Sequence, residues 1–330
     1  MDLARFKVAV VIPAYRTERE IQAVLKAIPD FARWIIVVDD ASPDSNAELV
    51  TAASRRDKRI TLIRHEKNKG VGAAMITGFK KALELESDIV IKVDGDGQMD
   101  PAYIPAMIAP LIANEADYAK GNRFRDFNSL RQMPFVRRIG NLGLSFLSKA
   151  ATGYWNIFDP TNGYFAIRAG VLAQLPLDKL DKGYFFETSM LAHLYLLGAC
   201  VQDVAIPARY GNESSSLSIR RALFEFPFKL ARTFLRRIAL KYFIFDFSMM
   251  SIYLLTGFPL LFFGLIFGII KWIQYSQLGV AAPTGTVILP TLSVILAIQI
   301  LLSAIDFDLN AAPRKAISKA MGESASRQTP

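Results

Sequence analysis

Apolar residues are distributed along this chain in two regimes. In the first two-thirds they form short runs at 8–12, 34–39, 60–64 and 89–93, separated by stretches with helical spacing at 18–27, 46–54 and 71–85. Short β-type runs alternating with amphipathic helices are the pattern of βαβ units and a mostly parallel sheet. Further strands are predicted at 118–121, 164–168 and 200–204, with helices at 101–114, 135–152 and 185–197 between them. The pattern as a whole predicts a doubly wound, Rossmann-like α/β domain.

Past residue 246 the text changes. Residues 247–270 and 287–305 contain no charge at all, and about 20 apolar residues are enough to cross a bilayer core. Both stretches read as transmembrane helices, because buried helices of soluble proteins rarely stay uncharged for so long. The loop between them, 272–286, has no Lys or Arg, whereas the preceding segment is strongly basic and Arg314, Lys315 and Lys319 follow. The positive-inside rule therefore places both ends in the cytoplasm. Residues 218–245 set Arg220, Arg221, Lys229, Arg232, Arg236, Arg237 and Lys241 against a single acid, Glu225, among Leu and Phe. This predicts a pair of basic amphipathic helices, divided at Pro227, lying on lipid headgroups. The organisation expected is a cytosolic domain over 1–215, juxtamembrane helices over 216–246, two spans with a short external loop over 247–310, and a cytosolic tail over 311–330.

Composition agrees: 52% of the 330 residues are hydrophobic and 21% charged, against a usual charged share of about 25%. The net charge of +9 fits nucleic acid, anionic lipid or a phosphorylated substrate equally well. Its concentration beside a membrane span argues for lipid and against nucleic acid. Cys200 stands alone and no Cys/His spacing suggests zinc. Of the two histidines, His65 is expected on a loop surface and His193 packed among Leu191, Leu194 and Leu196. The run at 8–12, broken by Pro13, is too short for a signal-peptide core, so the front is expected in the cytosol.

No Walker sequence and no G-x-G-x-x-G follows the first strand, which disfavours P-loop and dinucleotide chemistry. What stands instead at the predicted C-terminal ends of strands, where open α/β sheets bind ligands, is a set of acids: Asp39, Asp40, Asp94 and Asp96. Asp94-Gly95-Asp96-Gly97-Gln98 puts two carboxylates on alternate residues of a tight turn. That suits a hard divalent cation also held by diphosphate oxygens, although on its own it is equally an ordinary Asp/Gly turn.

With these motifs in order, the sequence resembles glycosyltransferase family 2, the inverting GT-A enzymes, and within it the polyprenyl-phosphate hexose synthases such as bactoprenol glucosyltransferases and dolichyl-phosphate mannose synthases. The resemblance is carried by Val11-Ile12-Pro13-Ala14-Tyr15 with Glu18, by Val37-Val38-Asp39-Asp40-Ala41-Ser42 with Asp44, by Asn68-Lys69-Gly70-Val71-Gly72, by the Asp94–Gln98 turn and by Gly121-Asn122-Arg123-Phe124. It implies that Pro13, Ala14, Tyr15, Glu18 and Asp40 hold the nucleoside, that Lys69 and Asp94 lie near the donor, and that Asp94, Asp96 and Gln98 hold Mg²⁺ or Mn²⁺. It further implies that Arg123, Arg137 and Asn141, with Arg138 beside them, face the acceptor phosphate, with Asp159 near the reacting centre. Glu187 and residues 209–216 match family positions less sharply, and Arg16 stands where the family usually has Asn.

The activity implied is inverting transfer of a hexose from a nucleotide diphosphate sugar, UDP-glucose ahead of GDP-mannose, to polyprenyl phosphate at the cytosolic membrane face. A membrane glycosyltransferase extending a hydroxyl acceptor would need a true base, Asp159 or Glu187. A non-catalytic nucleotide-sugar-binding scaffold would have no use for both Asp94 and Asp96. Self-association is compatible with the sequence but not required by it.

Overall fold

A computed structural model describes residues 3–123, 135–160, 162–207 and 219–317, apart from the side chains at 4, 135–139, 141 and 219–224. Two compact units divide the chain: residues 1–234 with the segment from 313 onward, and residues 235–312.

The first unit is built on strands β1 (Val8–Ala14), β2 (Ala32–Asp39), β3 (Ile60–Arg64), β4 (Ile89–Lys92), β5 (Tyr118–Asn122), β6 (Phe165–Arg168) and β7 (Val201–Ala205). Their order in the sheet is β3-β2-β1-β4-β6-β5-β7. Strand β1 is buried along its whole length, as a central parallel strand covered on both faces must be. It pairs in parallel with β2 and β4, and β2 with β3. Strand β6 runs antiparallel between β4 and β5, and β5 pairs in parallel with β7. The sheet is thus mixed and mostly parallel, a GT-A arrangement.

Helices α1 (Ile21–Ala27), α2 (Asn46–Arg56), α3 (Val71–Glu84) and α4 (Ile104–Ile112) connect the strands up to β5. Helix α1 starts three residues later than its spacing predicts, and α4 is preceded by a 3₁₀ turn, Pro101–Tyr103. Helix α5 (Phe135–Thr152) leaves Leu142, Phe146 and Leu147 exposed. The short α6 (Ala169–Leu172) and α7 (Phe186–Leu197) lie between β6 and β7. Residues 313–317 belong to this unit: Ala316 is buried, and Ile317 N donates to both carboxylate oxygens of Asp117, at 3.1 and 2.9 Å.

Helix α8 (Ile219–Ala239) corrects one expectation. It continues through Pro227, where a helix pair was predicted. Proline removes one intrahelical bond, but a long amphipathic face can hold the helix together across it. Leu230 packs with Phe185, and Phe226 sits edge-on to Phe185 at 5.7 Å. The division between the units falls inside α8.

The second unit is an antiparallel pair, α9 (Met249–Leu278) and α10 (Thr284–Asn310), preceded by a π-helical turn at Leu240–Phe245. At 30 and 27 residues both are long and apolar enough to cross a membrane, and most of their large apolar side chains are exposed. They extend past the uncharged stretches, so the connection is shorter than predicted, 279–283. Gly257 and Gly264 face Leu301 and Val294, bringing the helices close. Arg237 forms a two-pronged ion pair with Asp308, at 2.6 and 2.9 Å, and Tyr242 donates its hydroxyl to the same carboxylate at 2.6 Å.

Candidate active site

At the C-terminal ends of β1 and β2, two loops are stitched together by side chains. Arg16 N donates to Ser42 Oγ at 2.7 Å, Ser42 N to Asp39 Oδ1 at 2.7 Å, Glu18 N to Asp44 Oδ2 at 3.2 Å and Ser45 N to Glu18 Oε2 at 3.2 Å. Partial burial would raise the Asp44 carboxyl, but the bonds from Ser42, Glu18 and Asn46 outweigh it and hold the group below its ordinary value. Tyr15 is 42% exposed, with the Arg16 guanidinium 5.4 Å from its ring centre.

Asp40 faces a different set of partners. Its oxygens accept from Lys69 N at 2.9 and 3.1 Å and from Gly70 N at 2.7 Å, and His65 Nδ1 lies 2.7 Å away. His65 is therefore buried, not on a loop surface, and its Nε2 sits 2.9 Å from Thr77 Oγ1. Asp40 thus shapes the loop that carries Lys69. The neighbouring Asp39 is fully buried, and its Oδ2 has no hydrogen-bond partner among the described residues.

Beyond β4 the Asp94–Gln98 segment forms a tight turn. Gln98 N donates to Asp96 Oδ1 at 3.0 Å, and Gly97 takes φ 74°, where a side chain would be strained. Asp94 Oδ1 lies 2.9 Å from the Nζ of Lys92, which also reaches Glu187 Oε1 on α7 at 3.1 Å. Burial alone would lower the Lys92 ammonium, but Asp94 and Glu187 override it and raise it above its ordinary value. Among the described residues no three His, Cys, Asp or Glu side chains converge into a closed metal site. Two carboxylates on one turn fit a hard divalent cation provided a ligand supplies the remaining oxygens.

On the β5 side, Arg123 donates through Nε to Asp159 Oδ2 at 2.9 Å, with Nη2 3.5 Å from Oδ1. Asp159 is wholly buried. The segment that follows it is pinned to β5: Lys120 Nζ donates to Asn162 O, and Asn162 Nδ2 to Gly121 O at 2.7 Å. Burial brings the Lys120 amine down to about 8, against the opposing pull of Glu187 and Asp159. The side chains of Arg137, Arg138 and Asn141 on α5, and residues 209–216, lie outside the described residues. Sequence reasoning missed Lys92, Lys120 and His65 as parts of this assembly. The available signal was a lysine inside each of two apolar strands.

Residues 9–175 match the model of glycosyl transferase family 2. The chain belongs to that family, and it is a glycosyltransferase. Similar curated proteins include a UDP-N-acetylglucosamine–dolichyl-phosphate N-acetylglucosaminyltransferase of Methanococcus voltae, 34% identical over 53% of this chain and 74% of that one. An undecaprenyl-phosphate mannosyltransferase of Micrococcus luteus is 28% identical over 61% and 82%. Among solved structures, glucosyl-3-phosphoglycerate synthase of Mycobacterium tuberculosis, in complex with Mn²⁺, UDP-glucose and glycerol 3-phosphate, superposes with a TM-score of 0.51. Its identity is 18% over 71% of this chain and 80% of that one, so the likeness is one of fold.

Proposed function

We propose that this family member transfers a hexose from a nucleotide diphosphate sugar to polyprenyl phosphate, with inversion. The observation that carries the reading is the state of the two carboxylates available as a general base. Asp159 is held by Arg123 and Glu187 by Lys92, so each carboxylate already commits an oxygen to a neighbouring cation. A hydroxyl acceptor needs such a base. A phosphate acceptor is already ionised near neutral pH, and asks the protein only for alignment and charge neutralisation. The acceptors named in the Methanococcus voltae and Micrococcus luteus relatives support the same class.

In this reading Pro13, Ala14, Tyr15, Glu18 and Asp40 form the nucleoside side, with Lys69 near the diphosphate. Asp94, Asp96 and Gln98 are the residues that would hold Mg²⁺ or Mn²⁺, which when bound neutralises the leaving diphosphate. Asp159 orients the Arg123 guanidinium, and Arg123, Arg137 and Asn141 receive the acceptor phosphate, a role to which arginine forks are suited. Of the described basic residues of α8, Arg232 and Arg236 are exposed and rest on lipid headgroups, whereas Lys229 pairs with Asp181 and Arg237 with Asp308, a correction to the face expected from the sequence. With the charge asymmetry around α9 and α10, the exposed pair supports two spans with both ends cytoplasmic.

The test offers protein in lipid nanodiscs a panel of UDP- and GDP-sugars with polyprenyl phosphate or with a hydroxyl-terminated glycolipid. An acid-labile lipid phosphosugar is expected, and product on the hydroxyl acceptor alone would sink the reading. Arg137→Ala should raise KM for polyprenyl phosphate roughly ten- to a hundredfold, the worth of one charge-assisted contact. Nucleotide-sugar affinity, measured by calorimetry, should stay unchanged.

A further inference from the structure

Lys92 is an anomaly in its strand. It follows Ile89, Val90 and Ile91 and precedes Val93, and its side chain is 2% exposed. A charge so deeply buried is retained only where partners compensate its desolvation. Two carboxylates partner it, and a backbone segment closes over it. Asp94 Oδ1 is 2.9 Å away on the turn and Glu187 Oε1 3.1 Å away on α7. The backbone at Gly163, in the segment after Asp159, crosses so closely that a Cβ there would lie 2.5 Å from Lys92 Nζ and 3.3 Å from Asp94 Oδ2. One ammonium therefore takes one oxygen of Asp94 and also holds Glu187, while no described protein donor bonds Asp94 Oδ2.

We propose that Lys92 is a positioning residue for the donor site. By occupying Asp94 Oδ1 and offsetting the charge of the carboxylates, it lets the protein hold a divalent cation well only when a nucleotide diphosphate adds its own oxygens. The proposal rests on the cation reading given above. An ammonium beside the shared carboxylate opposes a second cation there, so the bare protein binds the ion weakly. A diphosphate brings the negative charge that restores the balance. Glu187 acts on the same balance with the opposite sign, because it draws part of the Lys92 charge away from Asp94.

The experiment is a titration of Mn²⁺ followed by its free-ion EPR signal, with the full-length protein alone and with UDP or GDP present. The wild type should bind Mn²⁺ at least about tenfold more tightly with a nucleotide than without. Lys92→Met should tighten binding of Mn²⁺ alone by about tenfold and shrink the nucleotide dependence, whereas Lys92→Arg, which keeps the charge, should stay near wild type. Glu187→Gln should weaken binding of Mn²⁺ alone. That variant leaves Lys92 paired with Asp94, so it decides the matter even if Lys92→Met does not fold.

Shifts of Lys92→Met and Glu187→Gln in the same direction, or no shift in Glu187→Gln, would overturn the proposal while leaving the cation reading intact. Absence of Mn²⁺ binding to the wild type with either nucleotide would overturn both.

Discussion

The two units bury charge in different ways. In the sheet unit, Lys92 serves both Asp94 and Glu187, while Lys120 is buried within the electrostatic reach of Glu187 and Asp159. In the helical unit, Arg237 and Asp308 pair one to one through both prongs, 1% and 4% exposed, and Tyr242 adds a third bond. A shared ammonium leaves acids with capacity to meet a ligand, and it sits where an open α/β sheet binds one. A one-to-one pair has both carboxylate oxygens taken and serves to join the start of this unit to the end of α10. Buried ion pairs thus line a candidate site in one unit and form a fastener in the other.

The fastener is the more brittle of the two. Asp308→Ala should cost about 3–5 kcal/mol, because it strands a buried guanidinium. Thermal unfolding in detergent, followed by tryptophan fluorescence or proteolysis, measures it. A double replacement, Arg237→Met with Asp308→Leu, should recover part of that loss, since a buried ion pair is often replaceable by apolar groups of like volume, less the cost of leaving the Tyr242 hydroxyl without its acceptor. If the double variant were as unstable as the single one, the pair would be doing more than fastening.

The shared network should reveal itself through pH. Burial lowers the Lys120 amine to about 8 in the folded chain, against about 10.4 when unfolded. Between these values the unfolded state binds more protons, so stability rises with pH through this window, and below about 8 the burial penalty is constant. Wild type should gain roughly 2 kcal/mol relative to Lys120→Met between pH 7.5 and 9.5. Urea denaturation of both proteins at the two pH values checks this. Equal slopes would mean that Lys120 is neutral, or well hydrated, in the folded protein.

Much of this architecture was readable in the sequence, and what was not has a physical cause. The strands follow from short apolar runs, and the predicted helix at 135–152 coincides with α5. The antiparallel direction of β6 is invisible locally, because a buried strand reads alike in either sense. Pro227 signalled a break that the amphipathic face of α8 overrides. At the site, the acids were legible because they stand at strand ends. Their partners were not: Lys92 and Glu187 are 95 residues apart, Arg123 and Asp159 36, and His65 and Asp40 25. Such pairings are made by the fold, and only a charge inside an apolar run hints at them.

Backbone strain separates the units as buried charge does. Among the described residues, left-handed non-glycine positions occur only in the sheet unit, and Arg16 (φ 58°) and Ala41 (φ 55°) stand where β1 and β2 give way to the candidate donor loops. In the helical unit the one left-handed residue described is Gly279, closing α9, where the conformation is free of strain. Arg16 holds its conformation against a penalty of about 1 kcal/mol, fixed by the bond from its N–H to Ser42 Oγ. Asparagine tolerates that region better, because its short polar side chain can bond the local backbone. Arg16→Asn should therefore stabilise the protein by about 0.5 kcal/mol, read as a small rise in the urea midpoint at unchanged slope. If nucleotide-sugar affinity also held steady by calorimetry, the Arg16 side chain would be a passenger at the donor loop. A fall in affinity with the same gain in stability would show that this loop keeps its strain in exchange for a contact with the donor.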